Sequence, residues 1–201
     1  MTGFEPILPV VVIDDARDAE ALGRALLAGG IHQAEITLRT PAALSALRAL
    51  AGIPGLRVGV GTVLEPEQAE AAIDAGATFV VSPGLSESVL AVCERRGVQA
   101  VPGAVTATEV MHARSLGLRT LKFFPAESSG GPAALSALSS VFPDLAFVPT
   151  GGIDASRAPD YLALPSVIAV GGSWMVPRAA IAAGDFTGVE ALCRTAVEAA
   201  R

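Results

Sequence analysis

The sequence predicts a single-domain (β/α)8 barrel of the TIM type, with the whole span 1–201 as one domain. Two observations carry this expectation. Apolar runs of four to seven residues alternate along the chain with Ala/Leu-rich segments at helical spacing. The runs number eight, and they are apolar nearly throughout rather than at every second residue, as in a parallel sheet covered by helices. Eight strands close a barrel, and a doubly wound open sheet is the alternative.

In order, strand one is read over Ile7–Ile13 and its helix over Asp15–Ala28. Strand two, Gln33–Leu38, leads to a helix over Pro41–Leu50, and strand three, Arg57–Thr62, to one over Pro66–Ala75. Strand four, Phe79–Ser82, precedes Ser86–Arg95; strand five, Val98–Pro102, precedes Ala107–Ser115. Strand six, Thr120–Phe124, is followed by Pro132–Val141, and strand seven, Ala146–Pro149, by Ser156–Ala163. Strand eight is Val167–Gly171, and a closing helix covers Val189–Ala200. Gly29, Gly76, Gly97 and Gly117 stand where helices end in the left-handed conformation. Pro41 and Pro66 stand where a first helical turn accepts a missing N–H.

Composition narrows the function. The chain is 51% apolar, with a mean hydropathy of +0.53, yet no uninterrupted apolar run approaches the ~20 residues of a membrane span. High apolarity here fits a deep core and a subunit interface rather than a membrane role. Net charge is −6 without a basic cluster, which argues against a nucleic-acid partner. The start, Met1 to Pro6, lacks the basic and apolar regions of an export signal. Cys93 and Cys193 lie in helix-like patterns without metal spacing and fit a reducing cytoplasm.

One residue stands apart. Lys122 is the only lysine among 14 basic residues, and it sits mid-strand in Leu121-Lys122-Phe123-Phe124-Pro125. An amine held among aromatics is dehydrated, and a neutral amine can attack a carbonyl carbon to form a Schiff base. Taken alone, the position also fits a solvated edge lysine.

In a barrel of this kind, chemistry sits at the carboxyl ends of the strands. Those ends carry Glu35 and Arg39, Gly61-Thr62, Ser82-Pro83-Gly84, Pro102-Gly103, Lys122, Thr150-Gly151-Gly152 and Gly171-Gly172-Ser173, while the opposite ends carry nothing comparable. The glycine pairs after strands seven and eight suit a phosphate, because backbone N–H groups can approach the anion and a hydroxyl adds a donor. They also suit tight turns without a ligand. Strand alternation puts Glu35, Thr37 and Arg39 on one face, with Ile36 and Leu38 on the other. An inward carboxyl suits proton transfer, and an arginine fork matches a substrate carboxylate. A Glu35–Arg39 or Glu35–Lys122 ion pair that only neutralises buried charge is the alternative.

Seven motifs then occur in order: Glu-Ile-Thr-Leu-Arg-Thr, Gly-Val-Gly-Thr-Val, Ser-Pro-Gly, Pro-Gly-x-x-Thr-x-x-Glu, Lys-Phe-Phe-Pro-Ala-Glu, Pro-Thr-Gly-Gly-Ile and Gly-Gly-Ser-Trp. From about Ile7 onward, the series resembles the 2-keto-3-deoxy-6-phosphogluconate (KDPG) aldolases. These are class I lyases of the Entner–Doudoroff pathway, (β/α)8 barrels that are usually homotrimers. The resemblance implies Lys122 as Schiff-base lysine and Glu35 as general acid–base. It implies Arg39 and Thr62 as holders of the pyruvyl carboxylate, and Thr150 beside the keto acid. Gly151, Gly152, Gly172 and Ser173 would hold the phosphate, with Pro83 and Phe124 as apolar walls. Two departures are Val60, where a small alanine is common, and a short segment before strand one. A phosphorylated keto acid is the implied substrate, with no cofactor or metal, since the iminium serves as electron sink. His32 and His112 read as surface residues rather than ligands. Sibling aldolases for the galactonate epimer or for 4-hydroxy-2-oxoglutarate would use the same lysine and glutamate. A phosphosugar isomerase or synthase barrel, and a non-catalytic phosphosugar-binding barrel, are the readings outside this class.

Overall fold

In every strand one set of alternate side chains must go inward and the other outward, and the computed structural model, which describes residues 3–200, satisfies both sets with a closed barrel ringed by helices. The strands are β1 (Ile7–Val11), β2 (Gln33–Thr37), β3 (Arg57–Gly61), β4 (Phe79–Ser82), β5 (Gln99–Pro102), β6 (Thr120–Phe123), β7 (Ala146–Pro149) and β8 (Val170–Gly172). The helices are α1 (Ala19–Ala28), α2 (Ala43–Ala51), α3 (Pro66–Asp74), α4 (Glu87–Arg96), α5 (Ala107–Ser115), α6 (Gly131–Val141), α7 (Ala158–Leu162), α8 (Arg178–Ala182) and α9 (Phe186–Ala199). All pairings are parallel. A continuous ladder runs β5-β4-β3-β2-β1-β8, and β6-β7 forms a separate pair. Single bridges, Gly103 with Lys122 on one side and Thr150 with Gly171 and Phe147 with Val167 on the other, close the ring.

Several boundaries differ from the expected ones. β1, β2, β3 and β6 end before Ile13, Leu38, Thr62 and Phe124, because the chain turns there into the mouth of the barrel; the Arg39 N–H already bonds back to the Thr37 carbonyl at 2.8 Å. β5 starts after Val98, and β8 is Val170–Gly172 rather than Val167–Gly171, since Val167 makes only an isolated bridge. The helix expected from Asp15 starts at Ala19, after a 3-10 turn in which the Asp15 carboxylate accepts from Arg17 N–H at 2.9 Å. Pro41 lies in the turn before α2, whereas Pro66 is the first residue of α3 as expected. The helix after β7 is shorter than Ser156–Ala163, and α9 begins at Phe186, ahead of Val189, capped by Asp185. α8 is an additional helix. Gly29 is right-handed (φ −78°), and the left-handed residue is Gly30 (φ 83°). Gly29 is required for another reason: a Cβ there would lie 2.4 Å from the Cys193 Cβ, so it permits α1 and α9 to touch.

Inside the barrel Leu8, Phe79, Val81, Val101, Val148 and Ala169 form a core separate from the two clusters between strands and helices. Phe79 fills the space that β3 leaves at Gly59, where a Cβ would stand 2.3 Å from the ring. Burying such a ring contributes about 1.5–3 kcal/mol. The amino-terminal mouth is not bare, contrary to expectation. Arg57 stacks on Phe4 and Phe79 at 4.7 and 4.8 Å, and donates to Gly3 O (2.7 Å) and Gln99 Oε1 (3.2 Å). Buried Gln33 donates to the Glu5 and Ile7 carbonyls, each at 2.9 Å. These amide and guanidinium groups satisfy backbone carbonyls that the end of the ladder leaves unpaired. Among the described residues, no helix is long and apolar enough to cross a membrane.

Candidate active site

The carboxyl ends of the strands surround a cavity of about 170 Å³. All eleven residues singled out in the sequence line it: Glu35, Arg39, Thr62, Pro83, Lys122, Phe124, Thr150, Gly151, Gly152, Gly172 and Ser173. Val10, Thr37 and Ile153 complete the wall. Thr37 was placed on the inward face by alternation but not as a site residue. Val10 and Ile153 carry no signal that separates a cavity wall from core.

Strand alternation delivers the two central groups. In β6, Leu121 and Phe123 pack outward under the helices, so Lys122 points in. In β2, Ala34 and Ile36 pack outward, so Glu35 points in. Lys122 Nζ donates to Glu35 Oε1 at 3.4 Å, across the barrel, with side-chain exposures of 8% and 1%. The second oxygen, Oε2, is buried and has no protein hydrogen-bond partner among the described residues. Its lone pairs are available to a hydroxyl or water. Nζ also lies 5.2 Å from the centre of the Phe124 ring, an apolar side with a favourable cation contact. A buried ion pair is weak grounds for stability, because desolvation offsets most of its attraction.

The position of the Glu35 carboxylate depends on β3. A Cβ at Gly61 would lie 1.9 Å from Glu35 Oε1, so the carboxylate lies across a strand that offers no side chain. The next residue, Thr62, has φ 60°, in the left-handed region that a β-branched residue rarely enters, at a cost of order 1–3 kcal/mol. Hydrogen bonds on either side, Leu38 N–H to Gly61 O at 2.9 Å and Val63 N–H to Val81 O at 3.2 Å, hold the strained link.

Arg39 is exposed at the mouth and makes no ion pair among the described residues, unlike most arginines of this chain. The lining residues thus include two cations and one carboxylate. That balance favours an anionic ligand. On the β7–β8 side, Gly151 and Gly152 have φ 106° and 79°, Thr150 is buried over Gly171, and Ser173 is exposed. The Gly152 and Ser173 N–H groups meet no protein acceptor among the described residues. His32 and His112 lie outside the cavity; both are exposed, beside Glu5 and Glu87.

The chain resembles known proteins along nearly its whole length. The family model described as "Aldolase: KDPG and KHG aldolase" matches residues 3–192. The 2-dehydro-3-deoxy-phosphogluconate aldolase of Pseudomonas aeruginosa is 49% identical over 193 residues, covering 96% of this chain and 88% of that protein. The KHG/KDPG aldolase of Escherichia coli K12 is 44% identical over 197 residues, covering 98% and 92%. Among solved structures, the KDPG aldolase of Legionella pneumophila, with pyruvate captured at low pH as a covalent carbinolamine intermediate, superposes with a TM-score of 0.91. It is 42% identical and covers 94% of this chain and 93% of that chain.

Proposed function

The chain belongs to the KDPG and KHG aldolase family, and from that premise we propose that it is a class I aldolase cleaving 2-keto-3-deoxy-6-phosphogluconate to pyruvate and glyceraldehyde 3-phosphate. The observation that carries the reading is the buried Lys122–Glu35 contact of 3.4 Å in a cavity that Arg39 and the glycines after β7 also line. The free amine of Lys122 adds to the C2 ketone, and the carbinolamine hydroxyl takes up a proton from solvent and leaves as water, which gives a protonated imine. Glu35, directly or through a water, takes the proton from the C4 hydroxyl. The C3–C4 bond breaks, its electron pair moves to the iminium nitrogen, and glyceraldehyde 3-phosphate leaves an enamine behind. Protonation at C3 regenerates the iminium, and water hydrolyses it to pyruvate and free Lys122.

The remaining residues divide between the two ends of the substrate. Arg39 and Thr62 hold the pyruvyl carboxylate, Arg39 through its fork of donors. Thr150 stands beside the keto acid, Pro83 and Phe124 bound its apolar sides, and Gly151, Gly152, Gly172 and Ser173 hold the phosphate largely with backbone dipoles. We further assign the enzyme to the cytoplasm, to the Entner–Doudoroff pathway and to a homotrimeric state, all on the family resemblance. Borohydride added with pyruvate should fix one pyruvyl group per chain, on Lys122. Cleavage of the phosphogluconate substrate should exceed that of its galactonate epimer and of 4-hydroxy-2-oxoglutarate when the three are measured side by side. Absence of a fixed adduct would return the chain to a binding or isomerase role, and a reversed preference would name the sibling activity.

The phosphate assignment has its own test. Ser173→Asp sets a carboxylate against a dianion where the nearby donors are neutral amides. The repulsion in a partly dehydrated site should cost several kcal/mol, against about 1–3 for a lost hydrogen bond. Cleavage of the phosphorylated substrate should fail while pyruvate trapping persists. Normal cleavage by this variant would place the phosphate elsewhere.

A further inference from the structure

The motif around Lys122 ends in Glu127, which the chemistry above leaves without a task. Glu127 opens the 3-10 turn after β6, and its carboxylate reaches across to the segment that follows β7. Oε1 accepts from the Tyr161 hydroxyl at 2.7 Å, and Oε2 accepts from Arg157 Nη1. The Tyr161 side chain is fully buried in α7, and Glu127 is largely enclosed, with a side-chain exposure of 19%. Burial, and then the carboxylate beside it, push the Tyr161 hydroxyl up from the usual phenol range, which keeps it a donor.

Between these two anchor points lies the β7 loop. Its backbone is fastened to the same turn: Ala126 N–H donates to Thr150 O at 2.8 Å and Glu127 N–H to Gly151 O at 3.0 Å. In a planar trans peptide, each N–H points opposite to the preceding carbonyl. Fixing the Thr150 and Gly151 carbonyls on the β6 side therefore turns the Gly151 and Gly152 N–H groups away from it. Both residues line the cavity. Contact is close enough that a Cβ on Gly152 would lie 2.8 Å from the Glu127 Cβ. The side chain thus lies directly against a loop that lines the cavity.

We propose that Glu127 is a positioning residue, clamped by Tyr161 and Arg157, that sets the aim of the Gly151–Gly152 amides on the substrate phosphate. It touches neither Lys122 nor Glu35, so it tunes recognition of the phosphorylated end and leaves the Schiff-base end alone. The inference rests on the phosphate assignment above and is tested against an unphosphorylated substrate. Glu127→Ala should lower kcat/KM for 2-keto-3-deoxy-6-phosphogluconate by about 10–100-fold, mostly through KM, as expected for a misaimed set of donors. Tyr161→Phe should move the same ratio in the same direction by a smaller factor, and Glu127→Gln, which keeps an acceptor for Tyr161, should recover most of the loss. With 4-hydroxy-2-oxoglutarate, and in borohydride trapping with pyruvate, the variants should match the parent. Equal losses on both substrates, or none on either, in Tyr161→Phe and Glu127→Gln as well as Glu127→Ala, would overturn the positioning role. Failure of the parent enzyme to prefer the phosphorylated substrate would instead overturn the phosphate assignment itself.

Discussion

Lys122→Arg is expected to remove the borohydride-fixed pyruvyl adduct and the cleavage activity together, with the fold retained. A guanidinium stays protonated at any working pH, so it can answer the Glu35 charge but cannot add to a ketone. Turnover should fall to background. Lys122→Met should lose the same activities and also stability, because it leaves the Glu35 carboxylate buried without its partner; removing one member of a buried pair costs about 3–5 kcal/mol. Urea unfolding of the two variants separates the chemical from the electrostatic part. Since Lys122 is the only lysine, any label that survives in Lys122→Arg can come only from the α-amino group, and that result ends the Schiff-base mechanism.

Glu35→Gln is expected to lower turnover by roughly 10²–10⁴-fold while pyruvate is still trapped. Glutamine has the same shape, so it still lies across Gly61 and still accepts from Lys122, but it cannot carry the C4 hydroxyl proton. Exchange of the pyruvate methyl protons with solvent should slow in parallel, because the enamine forms by removal of a proton at the same carbon. Exchange at the parent rate would show that another group moves the proton. The contrast between the two substitutions is the useful quantity: one removes bond formation, the other only proton movement.

Much of this site was legible in the sequence because strands are periodic. Once β2 is recognised, alternation separates Glu35, Thr37 and Arg39 from Ile36 and Leu38, whereas Lys122 stands out as the only lysine, placed mid-strand among aromatics. Helix ends were less legible. The five residues of α8 fall between Pro177 and Gly184, too few for a period of 3.6 to show. The plug at the amino-terminal mouth was missed because Gln33, Arg57 and Gln99 each begin a strand, where a polar residue ordinarily faces water. Only the closed ring brings Arg57 against Phe4 and Gln99, and Gln33 against the Glu5 carbonyl. Val10 and Ile153 were missed for the opposite reason, since an apolar cavity wall and an apolar core have the same composition. The Glu127 motif was visible, but Tyr161 lies 34 residues further on, and nothing local links the two.

The missing side chain at Gly61, whose space the Glu35 carboxylate takes, makes two positions in different strands one unit of inheritance. A residue with a side chain at 61 can appear only where position 35 is short, and aspartate at 35, one methylene shorter, would draw its carboxylate back from the amine. Neither change is reached by a single neutral step from the present pair. Drift along β3 is therefore curbed by a base that β2 supplies, and a search for working variants should sample the two codons jointly.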